Sequence, residues 1–165
     1  MTIVDLVRLD KLGPALAHAT GDGRWCSLNA TIIAGGKSNL TFEVTSEAGA
    51  LILRRPPSGE LLPSAHDMGR EARIQLALAG TSVPVPKVVL QEASGDVLSV
   101  PFYVMEKVPG HVIRAELPHG YAESPGEKLA LANALVDVPP VRHRVDRSAG
   151  DRRVGERCRT RVALL

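Results

Sequence analysis

The sequence predicts an α+β fold, a five-stranded antiparallel sheet with one packed helix, and three observations carry that prediction. Apolar residues recur with strand periodicity in five short runs, predicted strands outnumber predicted helices, and the first three runs are joined by links short enough only for hairpins. The order is three strands, a helix, two strands, then a linker into a further helix.

Residues 4–19 form a short helical segment, weakened by Gly13-Pro14 and ended by a Gly21-Asp22-Gly23 turn. Residues 28–33 alternate and become β-branched, which predicts a strand that Gly35-Gly36-Lys37-Ser38 breaks. Leu40, Phe42 and Val44 then alternate with Thr41, Glu43 and Thr45, giving a second strand in hairpin with the first. After the Glu47-Ala48-Gly49 turn, residues 50–54 form the third strand, stopped by Pro56-Pro57. A loop over 56–63 leads to a helix over 64–79, with Ser64 as N-cap and Gly80 at C′. Its apolar stripe is Met68, Ala72, Leu76 and Ala79, flanked by Ile74 and Leu78. Pro84 and Pro86 enforce an extended lead into the fourth strand, 87–90, and a Ser94-Gly95-Asp96 turn leads to the fifth, 100–108. Ser124-Pro125-Gly126-Glu127 is a capping box with Pro at N1. It opens a helix whose inward face is Leu131, Leu135 and Val138, cut off by Pro139-Pro140.

A chain of 165 residues fits one ordinary domain or two very small ones, and 44% hydrophobic residues can supply a core, which excludes wholesale disorder. Aromatics are only Trp25, Phe42, Phe102, Tyr103 and Tyr121, too few for the stacking platform of a single-strand nucleic-acid binder. Cys26 and Cys158 cannot build a disulfide framework or a zinc cluster. No apolar run approaches the about 18 residues that span a bilayer, and Asp5 and Asp10 stand where a secretory leader would be basic, so a cytoplasmic soluble protein is expected. Charge divides the chain: residues 1–140 hold 12 Lys and Arg against 15 acids, whereas residues 141–165 hold 8 Arg against 3 acids and show no sustained periodicity.

Candidate chemistry begins at the loop Gly35, Gly36, Lys37, Ser38 and Asn39. Glycines without a Cβ let backbone N–H groups approach an anion, and the three polar side chains add donors, so the loop is either a phosphate lid or an ordinary hairpin turn. Leu51-Ile52-Leu53-Arg54 has the layout of a buried strand ending in a cation that reaches nucleotide phosphates. Glu71, on the following helix, could hold that cation; alternatively both are solvated surface charges. The run from Pro101 to Gly110 resembles a kinase hinge, with adenine against Met105 and main-chain groups of Glu106 and Val108 in reach, or else an edge strand with a turn.

Taken together, Gly35 to Phe42, Leu53 to His66, Val83-Pro84-Val85-Pro86 and Phe102 to Glu106 resemble the aminoglycoside/choline-kinase-like phosphotransferases, in particular the kinase-like N-terminal domain of some acyl-CoA dehydrogenases. The resemblance implies a protein-kinase-like N-terminal lobe over residues 1–110, a linker and the first helix of a truncated helical lobe over 111–138, and an Arg-rich tail over 139–165 that is expected to lack structure. It implies ATP with Mg as cofactors, Arg54 in the place of the usual strand lysine, and Glu71 as its partner. His66 falls within the similar run without an assignable role.

No catalytic or metal-binding residue is predicted. Phosphoryl transfer needs an Asp to accept the hydroxyl proton and an Asn and a second Asp to hold Mg. In the family these lie on an H-G-D-x-x-x-x-N loop and a following acidic strand, and His143-Arg144-Val145-Asp146 does not match that loop: it has one residue too many, and Asp151 stands where Asn is required. The chain is therefore expected to be a truncated phosphotransferase, ancestrally directed to a small-molecule hydroxyl and inactive alone. One alternative is a noncatalytic nucleotide- or partner-binding module, self-associating or completed by another chain through its exposed lobe face. Another is nucleic-acid association through the tail arginines, which the lack of interleaved aromatics and groove-reading motifs argues against.

Overall fold

The structure is a computed structural model that describes residues 3–35, 39–57, 67–110 and 117–136. It has two compact units, one formed by residues up to Ala79 with Val85–Lys107, the other by Gly80–Pro84 and residues from Val108 onward.

In the first unit β1 (Asn29–Gly35), β2 (Leu40–Ser46), β3 (Gly49–Arg55), β4 (Val88–Glu92) and β5 (Phe102–Glu106) form one sheet in the order β1-β2-β3-β5-β4. Every neighbouring pair is antiparallel, as the alternation and short hairpins predict. The chain reaches β4 by crossing from β3 through α3 (Met68–Leu78), and β5 then fills the gap between them. Both outer strands are irregular: Ile33 of β1 and Val89 of β4 are each skipped in the pairing with their neighbour.

Strand alternation gives the sheet two different faces. Phe42, Val44, Leu51, Leu53, Phe102 and Val104 form a core with Val7 of α1 (Ile3–Val7), Leu12 and Leu16 of α2 (Leu9–Thr20), and Trp25. The N-terminal helical segment is thus a second layer, on the face opposite α3, where the sequence predicts one packed helix only. Gly13 makes the close approach possible, because a Cβ there would stand 2.7 Å from the Cys26 carbonyl oxygen. Pro14 is accommodated inside α2. Arg55 fastens this layer to the sheet: it is 3% exposed and donates to the carbonyls of Leu6 and Pro56.

The other face carries Ile52, Tyr103 and Met105 against Met68 and Ala72 of α3. This helix starts later than the sequence predicts. Its N-cap is Asp67, whose carboxylate accepts from the Arg70 amide at 2.8 Å, not Ser64, which lies outside the described residues. Gly80, at φ +81°, takes the predicted C′ position. The predicted apolar stripe is also rotated, with Leu76 and Ile74 about half exposed. At 3.6 residues per turn Gln75 falls within about 20° of Met68 around the helix and Leu76 about 80° away, so the glutamine is nearer the sheet-facing line.

In the second unit α4 (Pro125–Val136) begins with the predicted capping box. The Glu127 amide donates to Ser124 Oγ at 3.2 Å and the Ser124 amide to Glu127 Oε2 at 2.9 Å. Donation from the Ser124 backbone and then its hydroxyl holds the Glu127 carboxyl below its usual range. Leu131 is half-buried, while the Leu135 side chain and Val138 lie outside the described residues. Among the described residues no helix is long and apolar enough to cross a membrane.

Candidate functional site

Arg54 is the penultimate residue of β3, on the face that α3 covers, and α3 begins early enough to place Glu71 in its first turn. The two meet as the sequence predicts, with Arg54 Nη2 3.3 Å from Glu71 Oε2 and side-chain exposures of 18% and 36%. On β5, Tyr103 is the direct cross-strand partner of Arg54. Its hydroxyl donates to Glu71 Oε2 at 3.1 Å and accepts from Gln75 Nε2 at 3.1 Å. An amide nitrogen can only donate, so Gln75 directs the phenolic proton toward Glu71. Burial above all pushes the Tyr103 phenol up from its ordinary range; the Arg54 charge opposes this and Glu71 adds to it.

Asn39 completes the arrangement. It is 6% exposed and donates from Nδ2 to Glu71 Oε1 at 2.8 Å. One carboxylate thus accepts hydrogen bonds from Asn39, just before β2, and from Tyr103 of β5, and pairs with the Arg54 cation of β3. Arg54 Nε is buried and has no hydrogen-bond partner among the described residues, which leaves a cationic N–H that an anion would satisfy. A phosphate therefore fits the chemistry of this corner.

The other predicted residues fall in several places. Gly35 ends β1, and Gly36, Lys37 and Ser38 lie outside the described residues. Met105 is 2% exposed and packs with Ile52 and Met68. The Glu106 amide is committed to the Lys87 carbonyl at 2.9 Å, so this amide is not available to a ligand. Val108 is half-buried and opens the second unit. His66 and the His143 to Asp151 stretch lie outside the described residues. Among the described residues no three His, Cys, Asp or Glu side chains converge on a metal position.

Tyr103 and Gln75 are the members that sequence reasoning misses. The spacing of Glu71 and Gln75 by four was a usable signal, since it places them on one helix face. Tyr103 gave none, because a tyrosine inside an apolar run looks like core.

Comparison with known proteins agrees with this geometry. The phosphotransferase enzyme family, APH, matches residues 29–163, beyond residue 138 where the motif resemblance ends. The chain is 37% identical over 119 residues to acyl-CoA dehydrogenase family member 11 of Rattus norvegicus, covering 72% of this chain and 15% of that protein. It is 39% identical over 114 residues to family member 10 of Mus musculus, covering 69% and 10%. Among solved structures, the crystal structure of a protein from Ralstonia eutropha assigned as an aminoglycoside phosphotransferase is 31% identical with a TM-score of 0.51, over 65% of this chain and 29% of that one. The chain therefore spans about a sixth or less of these dehydrogenase-family proteins and under a third of the solved one. With a family match over most of its length, and with the β3 cation and the α3 carboxylate joined as the motifs require, the chain belongs to the APH phosphotransferase enzyme family.

Proposed function

We propose that this chain grips the phosphates of ATP from one side, as the nucleotide-binding lobe of a phosphotransferase acting on a small-molecule hydroxyl, and that the 165 residues by themselves bind without turning over. The observation that carries the reading is the Arg54–Glu71 pair, 3.3 Å apart, with the Arg54 Nε buried and unpartnered among the described residues beside it. Arg54 would take the phosphates, Glu71 would hold Arg54 in place, and the main-chain carbonyl of Glu106 would receive the base, Met105 being committed to the core against α3. ATP, when bound with Mg, supplies the phosphoryl group to be transferred. A small-molecule hydroxyl acceptor is in keeping with the solved relative, which is assigned as an aminoglycoside phosphotransferase.

Absence of turnover follows from the motifs. The sequence contains no H-G-D-x-x-x-x-N segment, so no aspartate with its following asparagine is supplied to receive a hydroxyl proton. Isothermal titration with Mg-ATP tests the grip. Binding that disappears in Arg54→Ala, with no phosphate released to a panel of hydroxyl acceptors, is the expected result. No heat at millimolar ATP would overturn the nucleotide reading, and acceptor phosphorylation by the purified chain would overturn the claim of no turnover.

A further inference from the structure

We propose that Tyr103 and Asn39 are positioning residues that hold the Glu71 carboxylate by both oxygens, and through it hold the Arg54 guanidinium in place for the phosphate. This rests on the nucleotide-binding reading above and assigns Asn39 a role toward Glu71, to whose Oε1 its Nδ2 donates.

An ion pair as exposed as Arg54–Glu71 does not by itself fix the geometry of two long side chains. Here the carboxylate is anchored by neutral donors that are themselves buried. Tyr103 is fully buried and its hydroxyl is oriented by Gln75; Asn39 is 6% exposed. Tyr103 takes the same Oε2 that Arg54 uses, while Asn39 takes Oε1, so rotation or withdrawal of the carboxylate breaks at least one part-buried hydrogen bond. Asn39 also directly follows residues 35–38, the glycine-containing loop. Its bond to Glu71 ties the residue that leads into β2 to α3.

Tyr103→Phe and Asn39→Ala, made in the full chain, test the proposal with two readouts. The first is the NMR signature of the Arg54 guanidinium without ligand: slow rotation about Nε–Cζ in the wild type and averaged Nη signals in both variants are expected. The second is Mg-ATP affinity, expected to fall about tenfold in each variant, the effect of one hydrogen bond to a charged group. A folded variant in which the Arg54 signals and the affinity both stay at wild-type values overturns the proposal. If the wild type binds no nucleotide, the reading of function fails separately, and the guanidinium signature alone decides: a change in the variants upholds the positioning of Arg54, and no change overturns it.

Discussion

Tyr103 shows how much one register position determines. Its backbone pairs with Arg54, its ring packs beside Met68 and Ala72, and its hydroxyl joins Gln75 to Glu71. The folded phenol titrates above its ordinary value of 10.0, chiefly because it is buried. The unfolded chain therefore ionises this tyrosine first as pH rises, and the stability Tyr103 contributes, complete below pH 10, drains away above it. Denaturant melts from pH 9 to 11 should show a steeper alkaline decline for the wild type than for Tyr103→Phe; equal slopes would contradict the argument. Arg54 and Glu71 were legible because charges at a strand end and in a helix first turn are conspicuous within a motif. Asn39 stood out as a polar residue of the glycine-containing loop, but its pairing with Glu71 did not. Sequence tells which bonds a side chain can make, whereas the fold decides where it points.

At the scale of elements, the strands were readable to within two residues because a two-residue period has few alternatives. The phase of α3 was harder. Its Leu76 competes with Gln75 for the inward line, and the polar residue prevails because Tyr103 offers it a hydrogen bond. The partner of α2 was not legible either, since Gly13-Pro14 has the composition of a helix breaker. In the fold Gly13 lies against the main chain of Trp25 and Cys26 in the turn at Gly23–Cys26. Helix propensity alone would have Gly13→Ala stabilise the protein by about 0.5–1 kcal/mol. The carbonyl oxygen 2.7 Å from the added Cβ reverses the sign, and we expect a loss of about 1–3 kcal/mol, measured as a lower midpoint in urea. A midpoint equal to or above that of the wild type would show that the turn moves away at little cost.

For the first unit as a whole, two cores share one sheet, and Arg55 joins the N-terminal helices to β3 through a buried cation. Burial lowers the Arg55 guanidinium from its usual value, yet arginine remains charged, so its hydrogen bonds to carbonyls are the stronger kind. Arg55→Ala leaves the Leu6 carbonyl without this donor and should cost about 2 kcal/mol. Amide exchange should quicken in α1 and α2 before it does in β5; unchanged protection in those helices would mean that Arg55 does not hold them. Neither this tie nor the insertion of β5 between β3 and β4 could be read locally, because both join segments distant in sequence. The skipped residues Ile33 and Val89 fall on the two borders of the sheet. A neighbouring molecule seeking to extend the ladder would meet an irregular strand on either side, a feature that works against edge-to-edge stacking of open sheets.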